Sequence, residues 1–142
     1  MSNLSLAIAI TAEGFKNKVD RGGKPYILHC LAVMYRLNTT DEELMIIGLM
    51  HDNVEDKIHT IQQLREKGFS ERILTALELL SFDKKLPYMF NIKNLLDNKD
   101  ARQAKIADLH ENMDLRRLEE IEEEDVIRFK KYATALNLLM NC

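Results

Sequence analysis

Three short segments hold the residues whose types and spacing can do chemistry. The first, His51-Asp52-Asn53-Val54-Glu55-Asp56, follows directly on the apolar run Leu44-Met45-Ile46-Ile47-Gly48-Leu49-Met50. It sets an imidazole beside a carboxylate at the end of a core helix. In helical spacing Glu55 lies four residues from His51 and three from Asp52, so the three share a face with Asp56 at its edge. Polar groups beside so apolar a run are costly to bury unless they bind something; a solvated helix end accounts for them equally well. The second segment, Lys105-Ile106-Ala107-Asp108 with Asn112, puts a cation, an acid and an amide on one helical face, a row that plain amphipathicity also produces. The third, Gly23-Lys24-Pro25-Tyr26-Ile27-Leu28-His29, carries an imidazole among apolar neighbours, where a core histidine with satisfied hydrogen bonds is the ordinary reading.

Together the segments mean more than they do singly. His29, His51, Asp52 and Asp108 form a mixed nitrogen and oxygen set that suits a divalent ion such as Mn²⁺, Fe²⁺ or Zn²⁺. A six-coordinate ion would keep positions for water and for a phosphoryl oxygen, and it would lower the pKa of that water. The other two histidines fit this set poorly. His110 is two residues from Asp108 and points to another helical face, and His59 falls in a loop before Thr60; both read as surface residues.

Helices must position these groups. Only two prolines and five glycines interrupt the chain, and no stretch alternates with the period of a strand. The pattern predicts helices over 4–18, 26–37, a segment capped by Thr40 with Glu43 and running to about 56, 60–68, 70–82, 87–98, 101–118 behind an Asp100 cap, and 123–140. Asp20 to Pro25 must be a loop, with Pro25 opening the next helix. The fold class is therefore all-α, a helical bundle with little or no sheet, and 142 residues fit one domain, 1–142.

Composition narrows the function classes. Hydrophobic residues make up 46%, enough for a core. The net charge of −3 argues against a nucleic-acid partner, yet residues 1–36 carry a net +3 and the remainder −6, which suits a small anionic ligand or simply a solvated loop. The apolar run from Leu4 to Ile10 is too short to cross a membrane and lacks the flanks of a signal peptide. Cys30 and Cys142 suggest no disulfide framework, so a reducing, cytoplasmic setting is expected.

The order of the three blocks, Gly23-x-Pro25-Tyr26-x-x-His29, His51-Asp52-x-x-Glu55-Asp56 and Lys105-x-Ala107-Asp108-x-x-x-Asn112, resembles the HD phosphohydrolase superfamily. Within it, the wording is most similar to the hydrolase domain of RelA/SpoT proteins and to small alarmone hydrolases. The resemblance covers about residues 5–118, with 119–142 as a C-terminal packing helix. It implies an HD-type helical bundle and a metal, typically Mn²⁺, on His29, His51, Asp52 and Asp108. It implies that Glu55 and Asp56 orient or activate the attacking water. Lys105 and Asn112 would lie near a small nucleotide substrate, with Arg21 and Lys24 adding positive charge. The implied reaction removes the 3′-pyrophosphate of ppGpp or pppGpp, giving GDP or GTP and pyrophosphate; the guanine base rests on analogy alone. Several positions depart from the family pattern. Asp20 stands where an arginine often packs on the base, with Arg21 one step later; Phe15, Lys18, Cys30 and Leu115 replace a histidine, a glutamine, a proline and a small polar residue. The ligands and acidic pair match while the purine side differs. This leaves another phosphorylated nucleotide as a second expectation and a non-catalytic nucleotide-binding module as a third.

Overall fold

The computed structural model describes residues 3–141, apart from the Arg117 side chain; Cys142 lies outside the described residues. They form eight α-helices and one 3₁₀ turn, with a lone antiparallel bridge between Val19 and Pro25. The all-helical expectation holds, and the ends of several helices differ from it for local reasons.

Helix α1 spans Leu4–Gly14 and stops four residues short of the expected end. A Cβ on Gly14 would lie 2.1 Å from Ile58 Cγ2, so the helix ends where it meets the chain beyond the His-Asp segment. The following loop is pinned back on itself: Tyr26 N donates to Lys18 O (2.9 Å), Asp20 N to Lys24 O (2.8 Å), and Gly23 takes a φ of +82°. Helix α2, Tyr26–Arg36, starts behind Pro25 and buries His29, Cys30, Val33 and Met34.

Helix α3, Glu42–Leu49, is capped by Asp41, whose Oδ1 accepts the Leu44 N–H (3.3 Å), rather than by Thr40. It ends well before 56. From Met50 the chain turns: Asn53 N donates to Met50 O (2.9 Å), Ile58 N to Asn53 O (2.9 Å), and Lys57 sits at φ +62°. The buried Asn53 amide reaches back to Thr11 Oγ1 (3.0 Å), a tertiary bond that outweighs continuing the helix. Residues 51–56 therefore lie on a tight turn and not on a helical face.

Helix α4, Ile61–Glu66, carries the expected Thr60–Gln63 capping box, and Gly68 closes it at φ +95°. Helix α5, Glu71–Leu80, is capped by Ser70; α6, Tyr88–Asn94, follows Pro87. Helix α7, Lys99–Asn112, is capped by Asn98 (Oδ1 to Ala101 N, 2.9 Å) instead of Asp100, and gives way to a 3₁₀ turn at Leu115–Arg117. Helix α8 is Glu123–Met140, matching the expected range.

Helix α3 is the hub. It packs on α1, α2, α5 and α7, and its Ile47, Leu49 and the adjoining Met50 are fully buried. Each such side chain contributes about 1.5–3 kcal/mol of burial. Gly48 permits the close α2–α3 crossing, since a Cβ there would stand 2.5 Å from Leu37 Cδ1 and 3.5 Å from Met34 Cα. That crossing carries His29 and His51 towards one another. Helix α8 lies on α7 and α6. No helix among the described residues is long and apolar enough to cross a membrane.

Candidate metal centre

The elements converge on a buried cluster. His29 from α2, His51 from the end of α3 and Asp108 from α7 each bring one ligand atom, and these atoms lie within 4.8 Å of one another. His29 Nε2 is 3.3 Å from His51 Nε2 and 3.1 Å from Asp108 Oδ1; His51 Nε2 is 3.1 Å from the same oxygen. Asp52 stands at the edge of this trio, its Oδ2 3.1 Å from His51 Nε2. Ligands about 2.1 Å from an ion and at right angles around it are about 3 Å apart, so the spacing suits a shared cation.

The proton inventory agrees. His51 Nδ1 is 2.7 Å from the Gly48 carbonyl, so it must donate there. Its Nε2 is then a lone pair aimed at two carboxylates, an arrangement that calls for a cation or a proton. With a proton, burial disfavours the charged ring, but Asp52 and Asp108 outweigh it and lift the His51 pKa well above its ordinary value. Anchoring of a ligating imidazole through its second nitrogen is the usual support for a metal site. His29 has no such anchor: its Nδ1 is buried without a hydrogen-bond partner, and the ring is held between Tyr26 and His51, with centroids 5.1 and 5.2 Å away.

Both carboxylates are supported. Burial would raise the Asp108 carboxyl, but Lys105 Nζ at 2.9 Å from Oδ2, together with His51 and His29, holds it well below the usual range. Asn112 Nδ2 also donates to Asp108 Oδ1 (3.0 Å). Lys105 and Asn112, expected near a nucleotide, thus also brace Asp108. The Tyr26 hydroxyl donates to Asp52 Oδ2. Burial raises the Asp52 carboxyl, and His51 and Tyr26 bring it down to about 2. Burial, reinforced by Asp52, pushes the Tyr26 phenol far up, so it remains a donor.

A cleft of about 540 Å³ opens above the cluster. Asp52, Asp108, Glu55, Asp56, Lys105 and Asn112 all line it. Glu55 Oε1 accepts the Phe82 N–H (2.7 Å), and burial raises its carboxyl. Asp56 Oδ2 is paired with Lys18 Nζ at 2.6 Å. Arg21 lines a smaller adjoining cleft of about 200 Å³, where its guanidinium is 3.0 Å from the buried Asp125 carboxylate of α8. Lys24 is exposed and lines neither cleft. His110 is exposed as expected, whereas His59 is half-buried with Nδ1 3.3 Å from Asn53 Nδ2; neither joins the trio.

Sequence reasoning missed the far wall. Phe82, Tyr88, Lys131 and Tyr132 line the main cleft, and ammonium groups lie over its rings: Lys105 Nζ 4.6 Å from Phe82, Lys131 Nζ 4.5 Å from Tyr88, Lys18 Nζ 4.0 Å from Tyr26. Tyr26 sat in view, one residue past a proline and three before a candidate ligand. Nothing local marks Lys131 and Tyr132 in α8.

No protein-family model matches the chain. The guanosine-3′,5′-bis(diphosphate) 3′-pyrophosphohydrolase of Aquifex aeolicus (strain VF5) is 35% identical over 68 residues, 46% of this chain, and the match spans about a tenth (10%) of that protein's length. Among solved structures, a metazoan ortholog of SpoT, described as hydrolysing ppGpp and playing a role in starvation responses, aligns with a TM-score of 0.79 at 20% identity. That alignment covers 99% of this chain and 86% of the other. The likeness establishes the fold.

Proposed function

We propose that this chain is a metal-dependent hydrolase that removes the 3′-pyrophosphate of ppGpp or pppGpp. The observation that carries the reading is the meeting of His29, His51 and Asp108 next to a cleft that Asp108 lines together with four lysines. The resemblance of the three sequence blocks and the relatives named above supply the substrate. His29, His51, Asp52 and Asp108 would hold the ion, which we take to be Mn²⁺. When bound, it supplies positive charge and a water of lowered pKa.

The remaining work falls to the chain's own residues. Lys105, paired with Asp108, adds positive charge beside the phosphoryl oxygens. Glu55, whose carboxyl is raised by burial, accepts the proton of the attacking water; Asp56, tied to Lys18, helps to orient that water. Attack at the phosphorus next to the 3′-oxygen breaks that P–O bond and releases pyrophosphate; the leaving 3′-oxygen takes up one proton, balancing the one Glu55 accepted, and becomes the nucleoside hydroxyl. The buried free Cys30, its thiol pushed up to about 12 by burial, fits a cytoplasmic enzyme.

A second reading, hydrolysis of another phosphorylated nucleotide, has one observation in its favour. Arg21, the residue next to the expected base-packing position, is engaged by Asp125. The test is a panel of ppGpp, pppGpp and other phosphorylated nucleotides with Mn²⁺, with and without chelator. Release of pyrophosphate from ppGpp, lost with chelator and in His51→Ala, supports the hydrolase. Turnover of a different nucleotide alone would leave the metal chemistry standing and overturn the alarmone substrate.

A further inference from the structure

The cations around the two clefts are not equivalent. Lys18 is committed to Asp56, Lys105 to Asp108, and Arg21 and Arg128 to Asp125. Lys131 lines the main cleft and makes no ion pair or hydrogen bond among the described residues; its ammonium group lies 4.5 Å from the Tyr88 ring and 5.6 Å from that of Tyr132. The Tyr88 ring also meets Lys105, 5.9 Å away. Tyr88 is not held there by its hydroxyl, which is buried with no hydrogen-bond partner. A phenylalanine would avoid that cost of about 1–3 kcal/mol while packing alike. What the ring provides is a contact common to two ammonium groups.

Those two groups make a ladder rising from the cluster: Asp108, then Lys105, then Tyr88, then Lys131. Two like charges around one ring repel unless an anion joins them, and Lys105 already has its carboxylate. Lys131 is the ammonium in this chain of contacts left for a further anionic group, such as the second phosphate of a diphosphate.

We propose that Lys131, seated on Tyr88, binds the terminal phosphate of the pyrophosphoryl group and makes the site selective for diphosphorylated over monophosphorylated ends. The inference rests on the hydrolase reading for its substrate and on the geometry alone for its ligand class, a diphosphate. Partial desolvation and the neighbouring Lys105 and Arg128 charges lower the Lys131 pKa, as expected of a cation without its counter-ion.

The test is titration of the Mn²⁺-loaded protein with inorganic pyrophosphate and, separately, with orthophosphate. Lys131→Met is expected to weaken pyrophosphate by about tenfold or more, the worth of a charge-assisted hydrogen bond. Orthophosphate should change by no more than about twofold, as for a distant exposed charge. Lys131→Arg should recover most of the pyrophosphate affinity. Lys84→Met, which removes another cleft cation without an ion pair among the described residues, should have the smaller effect. With ppGpp as substrate, Lys131→Met should raise KM more than it lowers kcat. Unchanged pyrophosphate binding, an equal loss for both anions, or a larger loss in Lys84→Met would each overturn the proposal. Lys131 is exposed on α8, so its replacement leaves the core untouched. If the wild-type protein binds pyrophosphate through Lys131 yet leaves ppGpp intact, the subsite stands and the proposed substrate falls.

Discussion

Lys105 sets its ammonium group 2.9 Å from one oxygen of Asp108, while the other oxygen of that carboxylate faces both histidines at 3.1 Å. One acid is thus divided between a fixed cation and the candidate metal. Removing the lysine leaves the buried carboxylate without its fixed cation, and breaking such a pair typically costs about 3–5 kcal/mol. Lys105→Met should therefore lower the unfolding free energy by about 3 kcal/mol in chelator. The loss should shrink when Mn²⁺ is added, because the ion takes over part of the neutralisation. Denaturant unfolding with and without metal measures both.

Tyr26 holds Asp52 in the same way, through its hydroxyl. Tyr26→Phe keeps the ring packing on Phe15 and His29, whose centroids lie 5.0 and 5.1 Å away, and deletes only the donor. Loss of such a bond behind a ligand commonly weakens metal affinity or activity by about 10–100-fold. A Mn²⁺ titration should show a fall of that order, with Asp52 titrating at higher pH. An unchanged metal affinity would mean that Asp52 is not a ligand.

In the metal-free protein the acid limb of stability belongs to the carboxylates. Asp52 titrates at about 2 against an ordinary 3.8, and Asp108 shifts in the same direction. The unfolded chain then binds more protons between those values, so stability rises with pH across this window. The contribution is complete above the ordinary carboxylate pKa and drains away as pH falls through the folded one. His51 has the opposite sign. Its folded pKa is raised, so its contribution is present below 6.5 and lost as pH climbs past the raised value. Metal-free melting temperatures should therefore fall on both limbs. Mn²⁺ should remove the alkaline limb, since it replaces the His51 proton, and should bind more tightly as pH rises.

The chemistry was legible in the sequence because it is local. His51-Asp52 is fixed by adjacency and the Lys105-Asp108-Asn112 row by spacing over two turns of one helix, and the chain needs only to bring these segments together. Helix ends were less legible because distant atoms decide them. Gly14 ends α1 against Ile58, and Asn53 abandons the helix for Thr11, forty-two positions upstream. Glu55 still reaches the cleft, but from a turn, and its carboxylate is held there by the Phe82 N–H, 27 positions downstream. The wall of Tyr88, Lys131 and Tyr132 carried no local sign. An amphipathic helix face reads the same whether it covers a core or lines a cleft.

The metal itself should be visible in stability before any turnover is measured. A ligand that binds only the folded chain stabilises it by about 2.7 kcal/mol at a hundred times its dissociation constant. For a domain of this size each kcal/mol is worth about 2–4 °C, so Mn²⁺ at that excess should raise the melting temperature by about 8 °C. His51→Ala removes the nitrogen that faces His29, Asp108 and Asp52 at once, and its melting temperature should not respond to Mn²⁺. The variant also frees the Gly48 carbonyl and empties a buried position, so it should start lower, by about 2 kcal/mol. His110→Ala, which changes a solvent-exposed side chain on the same helix as Asp108, should keep the full response. Equal Mn²⁺ shifts in the wild type and in His51→Ala would place the ion elsewhere and remove the basis for the hydrolase.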